Sequence, residues 1–587
     1  MFLREVVRFF SQHRTLYCYL CLILWIFLLM AGMYKYININ ASQSFLINQP
    51  YQSLSNQDDA SKLKKIQSEC NPTQSIVRKE DGGVINGWKL QGVIMLIRHG
   101  DRGPMAHVRG INSIDCGAGK PNNVLLNKYK SFLLNTSANA PSGQYIYNKN
   151  GPFHNFPLLP AFPKECLLGQ LTTKGIAQML QVGEILRQIY GHALGLTSIP
   201  ISRTPNTTQS QQMIQLSDEV VIYSTRYRRT FQSAMAMMYS FLSPERWLSL
   251  VIRESHSLAF CFADCVCPRA EQIKSLLTQK FSNQLNKHPT IAAVVQWIGS
   301  NVLQNPTSKM QPLEVRDAIL SLICHDAPLP CRRNNAAEYV ETTIDKSRKS
   351  MMASTTETND LINIDQEETN NNNNNNNNAI LKSSDNLSNR IIDPDNEEVF
   401  ESDIEGCIET NHVAALMSYT QWQGIKEAQH KLTRQQGLLR AYGMIRHIVA
   451  NMLKIISGDK MKLLVYSGHD RTIQFLTTAL GLYRKINQDQ LSDQSYFIPY
   501  ATRLTFEVYK SEAETGDAGE YYFRTIYNGR DVTRKIEFCE GGRSLRIIKD
   551  SRGNKADLCP IENIIRFIHD DYFTTFNATN QKDACMV

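Results

Sequence analysis

The residue types best suited to chemistry stand in one heptapeptide, Arg-His-Gly-Asp-Arg-Gly-Pro, from Arg98 to Pro104. It joins an imidazole, His99, to two guanidinium groups, Arg98 and Arg102, within one turn of chain. Planar forks suit the oxygens of a phosphate in a way that a lysine ammonium does not. Nearby cations also depress the basicity of an imidazole, so that one ring nitrogen of His99 stays unprotonated and able to attack phosphorus, giving a phosphohistidine. A charged surface turn also uses Gly and Pro. The full combination, however, arises by chance in a chain this long only on the order of once in 10⁴, and we read it as a functional loop.

Two further segments offer complementary groups. Ser-Thr-Arg-Tyr-Arg-Arg-Thr, beginning at Ser224, supplies Arg226, Arg228 and Arg229, of which one suffices to reach a phosphate. Taken alone it is equally a solvated, basic helix start. Ser-Gly-His-Asp-Arg-Thr, Ser467 to Thr472, supplies a second imidazole, His469, for the transferring oxygens, and Asp470 as a proton donor to a leaving alkoxide. Taken alone, Asp470 reads as an ordinary helix cap.

All three segments must be held by the same scaffold. Val93 to Ile97 is a short apolar run ending in the Arg-His-Gly loop, the pattern of a buried strand, and ligands bind at the carboxyl ends of strands in open α/β sheets. Val220 to Tyr223 and Leu463 to Ser467 are two more strand candidates. Ile176, Met179, Leu180, Leu186 and Ile189 recur at helical spacing after Thr172, a plausible cap. Leu438 to Ile456 has the same periodicity and is followed by Gly458. Strands alternating with helices argue for an α/β fold, a mainly parallel sheet sandwiched by helices. The core is expected over 88–244 and 431–587, with a mostly helical cap insertion at 245–430. Within it, about 335–400 is polar, carries nine Asn at 370–378 and is expected to be a disordered loop.

Of 587 residues 42% are hydrophobic and 20% charged, too apolar for a disordered chain, and the net charge of +8 has no long basic block, which speaks against nucleic acid as a partner. Residues 15–34 are uncharged, long enough for one bilayer crossing, and preceded by Arg4, Arg8 and Arg14. This predicts a cytosolic tail at 1–14, a single-pass type II signal-anchor at 15–34, a stem at 35–87 and a lumenal body. A cleaved signal peptide is the alternative. Twelve of the 14 Cys lie beyond the span, an even number suited to disulfides. The cluster at 261–267, with Cys324, Cys331 and His325, is a weaker zinc alternative of no common spacing. Sequons at Asn40, Asn135, Asn206, Asn386 and Asn577 are candidate glycosylation sites.

Together, Arg98 to Pro104, the Leu-Thr-Thr-Lys-Gly at Leu171, Ser224 to Ala234 and the late Gly-His-Asp resemble the histidine acid phosphatase branch of the histidine phosphatase superfamily. The resemblance implies an α/β core with a helical insertion and no cofactor or metal. It implies His99 as the phosphorylated nucleophile, Arg98, Arg102 and Arg229 as the phosphate clamp, His469 as a second phosphate-binding histidine and Asp470 as the acid. Arg229 is singled out because it directly precedes Thr230. The likeness is closer to one Golgi member, carried in order by IDC at 114–116, AFCFADCVCP at 259–268, ICHDAPLPC at 323–331, YNGRDVT at 527–533, CPIENIIRFI at 559–568 and DAC at 583–585. That likeness implies a phosphorylated glycan as partner, the 2-phosphoxylose linkage oligosaccharide of proteoglycans, and a Golgi membrane location beside glycosyltransferases. Gly103 stands where that member has an aromatic, and the Asn tract is additional. A broad acid phosphatase or an inositol polyphosphate phosphatase is the alternative within the class, and a non-catalytic glycan-binding scaffold the alternative outside it.

Overall fold

The computed structural model describes residues 56–83, 85–114, 116, 123–136, 146–160, 166–197, 218–255, 260, 262, 266–332, 406–483, 497–512, 520–540 and 545–586, with Trp25. The expected tail, all of the span but Trp25, the Asn-rich loop and the sequons at Asn40, Asn206 and Asn386 lie outside the described residues. Asn135 and Asn577 are both exposed.

In chain order the main elements are α1 Asn56–Ser68, β1 Trp88–Arg98, α2 Val124–Thr136, α3 Thr173–Leu186, β2 Val220–Thr225, α4 Arg228–Phe241, α5 Pro244–Leu248, β3 Ile252–Ser255, α6 Pro268–Ser282, α7 Pro289–Val302 and α8 Pro312–Cys324. Then follow β4 Cys331–Arg332, β5 Gly406–Cys407, α9 Thr410–Ala428, α10 Lys431–Ile456, β6 Leu463–Gly468, α11 Asp470–Ala479, β7 Arg503–Ser511, β8 Tyr521–Tyr527, β9 Arg530–Asp531, β10 Arg546–Lys549, β11 Lys555–Pro560, α12 Ile561–Arg566 and α13 Gln581–Cys585. The chain divides into two compact units, 1–329 with 408–587, and 330–407. In the second, β4 and β5 pair antiparallel and Cys331 is bonded to Cys407.

The main sheet of the larger unit runs β10-β11-β8-β7-β1-β6-β2-β3, with β9 beside β8. Central β1 is fully buried from Val93 to Ile97, so its side chains alternate between two cores. Val93, Met95 and Ile97 pack with Ile176, Leu180 and Phe231 of α3 and α4. Ile94 and Leu96 pack with Ile445, Met452 and Ile473 of α10 and α11. Each such aliphatic side chain contributes roughly 1.5–3 kcal/mol by leaving water, so the strand that carries the Arg-His-Gly loop is held from both faces.

The sheet is mixed, a correction to the mainly parallel sheet expected. Parallel pairing links β1 to β6, β6 to β2 and β2 to β3. From β7 onward every pairing is antiparallel. A parallel return needs a crossover of a dozen or more residues, and the links from β7 to β8, β8 to β9 and β10 to β11 are shorter than that. Asn528 and Gly529, between β8 and β9, have φ of 47° and 84°, the two positive values that a tight hairpin turn requires.

The membrane expectations are also corrected. Among the described residues no helix is long and apolar enough to cross a membrane. The longest, α10, carries Lys431, Arg434, Arg440, Arg446 and Lys454 and packs in the core. The single-pass anchor, the type II topology, the membrane as partner and the Golgi membrane location therefore find no support in the structure. Part of the expected stem is folded. Ile66 and Cys70 are buried, Cys70 is bonded to Cys324, and the wholly buried Asp81 pairs with Arg503 at 3.1 Å. A disulfide and a buried ion pair hold this segment, and neither appears as hydrophobic periodicity.

Candidate active site

Because β1, β6 and β2 are parallel neighbours in register, their carboxyl ends reach the same level. Arg98 is opposite Gly468, and Ser467 is opposite both Ile97 and Ser224. The three segments singled out from the sequence therefore leave the sheet side by side. The His99 N–H donates to the Gly468 carbonyl at 3.0 Å, and Ser467 Oγ donates to the Thr230 carbonyl at 2.7 Å.

Helix α3 braces the loop from behind. Thr172 caps it by accepting from Gly175 N–H at 3.0 Å, Gln178 Oε1 accepts from Asp101 N–H at 2.7 Å, and Ser233 Oγ of α4 accepts from Gly100 N–H at 3.1 Å. This approach has room for no side chain. A Cβ on Gly100 would lie 2.3 Å from the Gly175 carbonyl oxygen, and one on Gly175 would lie 2.2 Å from that of Asp101. Both obstacles are backbone, so Gly175→Ala is expected to cost about 1–3 kcal/mol of stability and to displace the loop. A lowered melting midpoint together with a reduced kcat checks this; an unchanged midpoint contradicts it.

His99 is buried, and its Nδ1 lies 2.7 Å from the Gly100 carbonyl oxygen. A carbonyl only accepts, so Nδ1 carries the proton and Nε2 presents its lone pair. Nε2 has no partner among the described residues. Burial first, then the charges of Arg229 and Arg98, hold the His99 pKa well below its usual value. The His469 ring lies edge-on at 5.5 Å between centroids. Its Nε2 is 2.9 Å from Thr225 Oγ1, which is in turn 2.9 Å from Thr230 Oγ1. Burial, followed by Arg229, lowers His469 to about 3.

Three guanidinium groups converge on these rings. Arg98 stacks on Tyr500 at 4.2 Å, donates to the Ile498 carbonyl and pairs with Asp470 at 3.3 Å. Arg102 grips Asp317 of α8 through two bonds of 3.1 and 2.9 Å. Arg229 stacks on Tyr227 at 4.5 Å and approaches His469 Nδ1 at 3.5 Å; burial, then Arg102, lowers it to about 10. The buried Nε groups of Arg98 and Arg229 have no partner among the described residues, leaving donors for an anion. Arg226 and Arg228 are exposed. Asp470 opens α11 with its side chain 47% exposed. Desolvation pushes its carboxyl up, but Arg98, Arg471 and Arg102 outweigh it and hold the group at about 2. A cavity of about 230 Å³ opens beside Arg98, Arg102, Asp470 and Tyr500 and extends to α8 and α9.

All six residues singled out from the sequence are thus gathered. Others were missed. Asp101, wholly buried, accepts from Thr172 Oγ1 at 2.6 Å and meets His325 Nε2 at 2.8 Å. Its place inside the heptapeptide was the available signal. His325 is therefore engaged with the loop instead of a metal, and Cys267, Cys324 and Cys331, the other candidate zinc ligands described, are bonded to Cys585, Cys70 and Cys407. Asp317 and Tyr500 had no local signal, since each acts across more than 200 residues of sequence or from an irregular segment.

The two buried imidazoles make stability depend on pH. Their folded pKa values are depressed, so below about 6.5 the unfolded chain binds protons that the folded one refuses. Stability is fully present above that pH and is lost as pH falls towards 3. Melting midpoints measured from pH 7 to 4 are expected to fall, and His469→Gln to fall less steeply; equal slopes contradict this.

The comparisons agree with this geometry. Residues 89–528 match the profile of the histidine phosphatase superfamily, branch 2. The chain is similar to 2-phosphoxylose phosphatase 1 of Homo sapiens, 24% identical over 88% of this chain and 85% of that protein. The Danio rerio protein of the same name is 25% identical over 88% and 86%. The solved phytase from D. castellii is 12% identical, with a TM-score of 0.38 over 92% of each chain. With a family profile spanning three quarters of its length, the chain belongs to branch 2 of the histidine phosphatase superfamily and is a hydrolase of the histidine acid phosphatase type.

Proposed function

We propose that this hydrolase is a phosphomonoesterase acting through a phosphohistidine, and that it removes the 2-phosphate from xylose in the proteoglycan linkage region, so permitting glycosaminoglycan chains to grow. The observation that carries the catalytic part is the convergence of an unprotonated His99 Nε2, three guanidinium groups and Asp470 at one end of parallel strands. Nε2 of His99 attacks phosphorus in line, the ester P–O bond breaks, and Asp470 delivers its proton to the departing alkoxide. Water then attacks the phosphohistidine, its proton passes to the Asp470 carboxylate, and the P–N bond breaks. Arg98, Arg102, Arg229 and His469 hold the equatorial oxygens, which is most of what phosphoryl transfer asks of a protein.

Asp470 must be protonated to act, although Arg98, Arg471 and Arg102 hold it low. A bound phosphate draws Arg98 and Arg102 away from it and adds negative charge nearby, and both effects raise its pKa. The substrate monoanion brings the proton.

The xylose substrate is supported by the similarity to 2-phosphoxylose phosphatases along 88% of the chain. The test is phosphate release by the full-length protein from a 2-phosphoxylosyl linkage oligosaccharide, beside 4-nitrophenyl phosphate and inositol hexakisphosphate, at pH 5 to 7. A preference for the oligosaccharide is the expected result. Equal release from all three reduces the activity to that of a general acid phosphatase.

A further inference from the structure

We propose that Gln423 and Glu427 of α9 form a leaving-group subsite that accepts the hydroxyl groups of an uncharged sugar and turns away a second phosphate. This rests on the phosphomonoesterase reading above and specifies what its site selects. The cavity beside the reacting groups is continuous from Arg98, Arg102 and Asp470 to Gln423 and Glu427. Their spacing of four puts both on one face of α9. Gln423 Oε1 is buried and has no partner among the described residues. Glu427 is half-buried on the same wall, and burial pushes its carboxyl up from its ordinary value despite Arg471 nearby. An acceptor kept from water without a donor, as Gln423 Oε1 is, is costly, and a ligand rich in hydroxyls supplies donors. Tyr500, whose ring already carries Arg98, gives the cavity an aromatic wall on which the apolar face of a sugar ring can rest.

The charges lining the cavity decide between sugars and polyphosphates. Arg98 is matched by Asp470, Arg102 by Asp317 and Arg316 by Glu69; Arg471 remains, and Glu427 faces it. Guanidiniums and carboxylates therefore balance one another. When the transferring phosphate takes Arg102, Asp317 loses its guanidinium partner, and with Glu427 it makes the leaving-group side acidic even though Asp470 is then protonated. A second phosphate there meets like charge, whereas a neutral hydroxyl donates to it.

The test compares kcat/KM of the full-length protein for xylose 2-phosphate, inositol hexakisphosphate and 4-nitrophenyl phosphate, with Glu427→Gln, Glu427→Lys and Gln423→Ala. The ratio for xylose 2-phosphate over the aryl ester is expected to fall about 10- to 100-fold in Glu427→Lys, and less in Gln423→Ala. The ratio for inositol hexakisphosphate over the aryl ester is expected to rise in Glu427→Gln, which preserves shape, and further in Glu427→Lys. Wild-type preference for inositol hexakisphosphate, or variants that leave both ratios unchanged, overturns the subsite while aryl turnover lost in His99→Ala leaves the catalytic reading standing. Failure of the folded wild-type protein to hydrolyse any of the three overturns both.

Discussion

His99→Ala is expected to lower phosphate release on the order of 10⁴-fold or more, whichever ester is offered. Nothing else near the reacting position replaces the lone pair of Nε2. His469 faces Thr225 through its own Nε2 and Arg229 through Nδ1, and the arginines are cations. The loss should concern chemistry and not folding, because the loop is held by backbone bonds from His99 N–H and Gly100 N–H that alanine retains or leaves untouched. Rapid acid-free quenching with labelled substrate should find phosphate bound to the wild-type protein and none bound to the variant, with similar melting midpoints. Retention of more than about a hundredth of the activity, on the scale of nucleophile removal elsewhere, would sink the covalent mechanism.

Asp470→Asn should discriminate between leaving groups. A sugar alkoxide needs a proton as the P–O bond breaks, and loss of the general acid should cost about 10²- to 10⁴-fold in kcat. A 4-nitrophenolate leaves without help, so its turnover should fall far less. The pH dependence has a definite sign. Asp470 is held at about 2 by the surrounding arginines, so the transferable proton must arrive with the phosphate monoester, whose second ionisation lies near 6. Turnover of the sugar phosphate should therefore decline as pH rises above about 6, and the decline should flatten in Asp470→Asn. Equal losses on both esters in kcat/KM, which reports the steps up to departure of the leaving group, would mean that Asp470 only orients Arg98, with which it pairs at 3.3 Å.

Much of this site was legible in the linear chain because its chemistry sits in short contiguous motifs. His99 and its two arginines share five residues, and His469 and Asp470 are adjacent. Each motif follows an apolar run too short for a helix, and parallel pairing of those runs brings the motifs to one edge. Arg229 was selected over Arg226 and Arg228 by resemblance, and the α4 start turns it inward while leaving the others exposed.

Other features depend on contacts between distant segments, and local patterns do not encode them. Asp317 reaches Arg102 across 215 residues, His325 reaches Asp101 across 224, and Gln423 meets the cavity from an insertion helix. The antiparallel half of the sheet is set by which strands pair and in which direction, which periodicity does not report. The long apolar run near the N-terminus suggested a membrane span; all of it but Trp25 lies outside the described residues, among which no helix is long and apolar enough to cross a membrane. By itself the sequence determined which side chains are gathered at the strand ends and the strands that present them, because hydrophobic period and side-chain chemistry are local properties. Only the tertiary structure decided which carboxylates balance the guanidiniums and what the leaving group meets, because Coulomb and hydrogen-bond energies depend on distances in space that separation along the chain does not set.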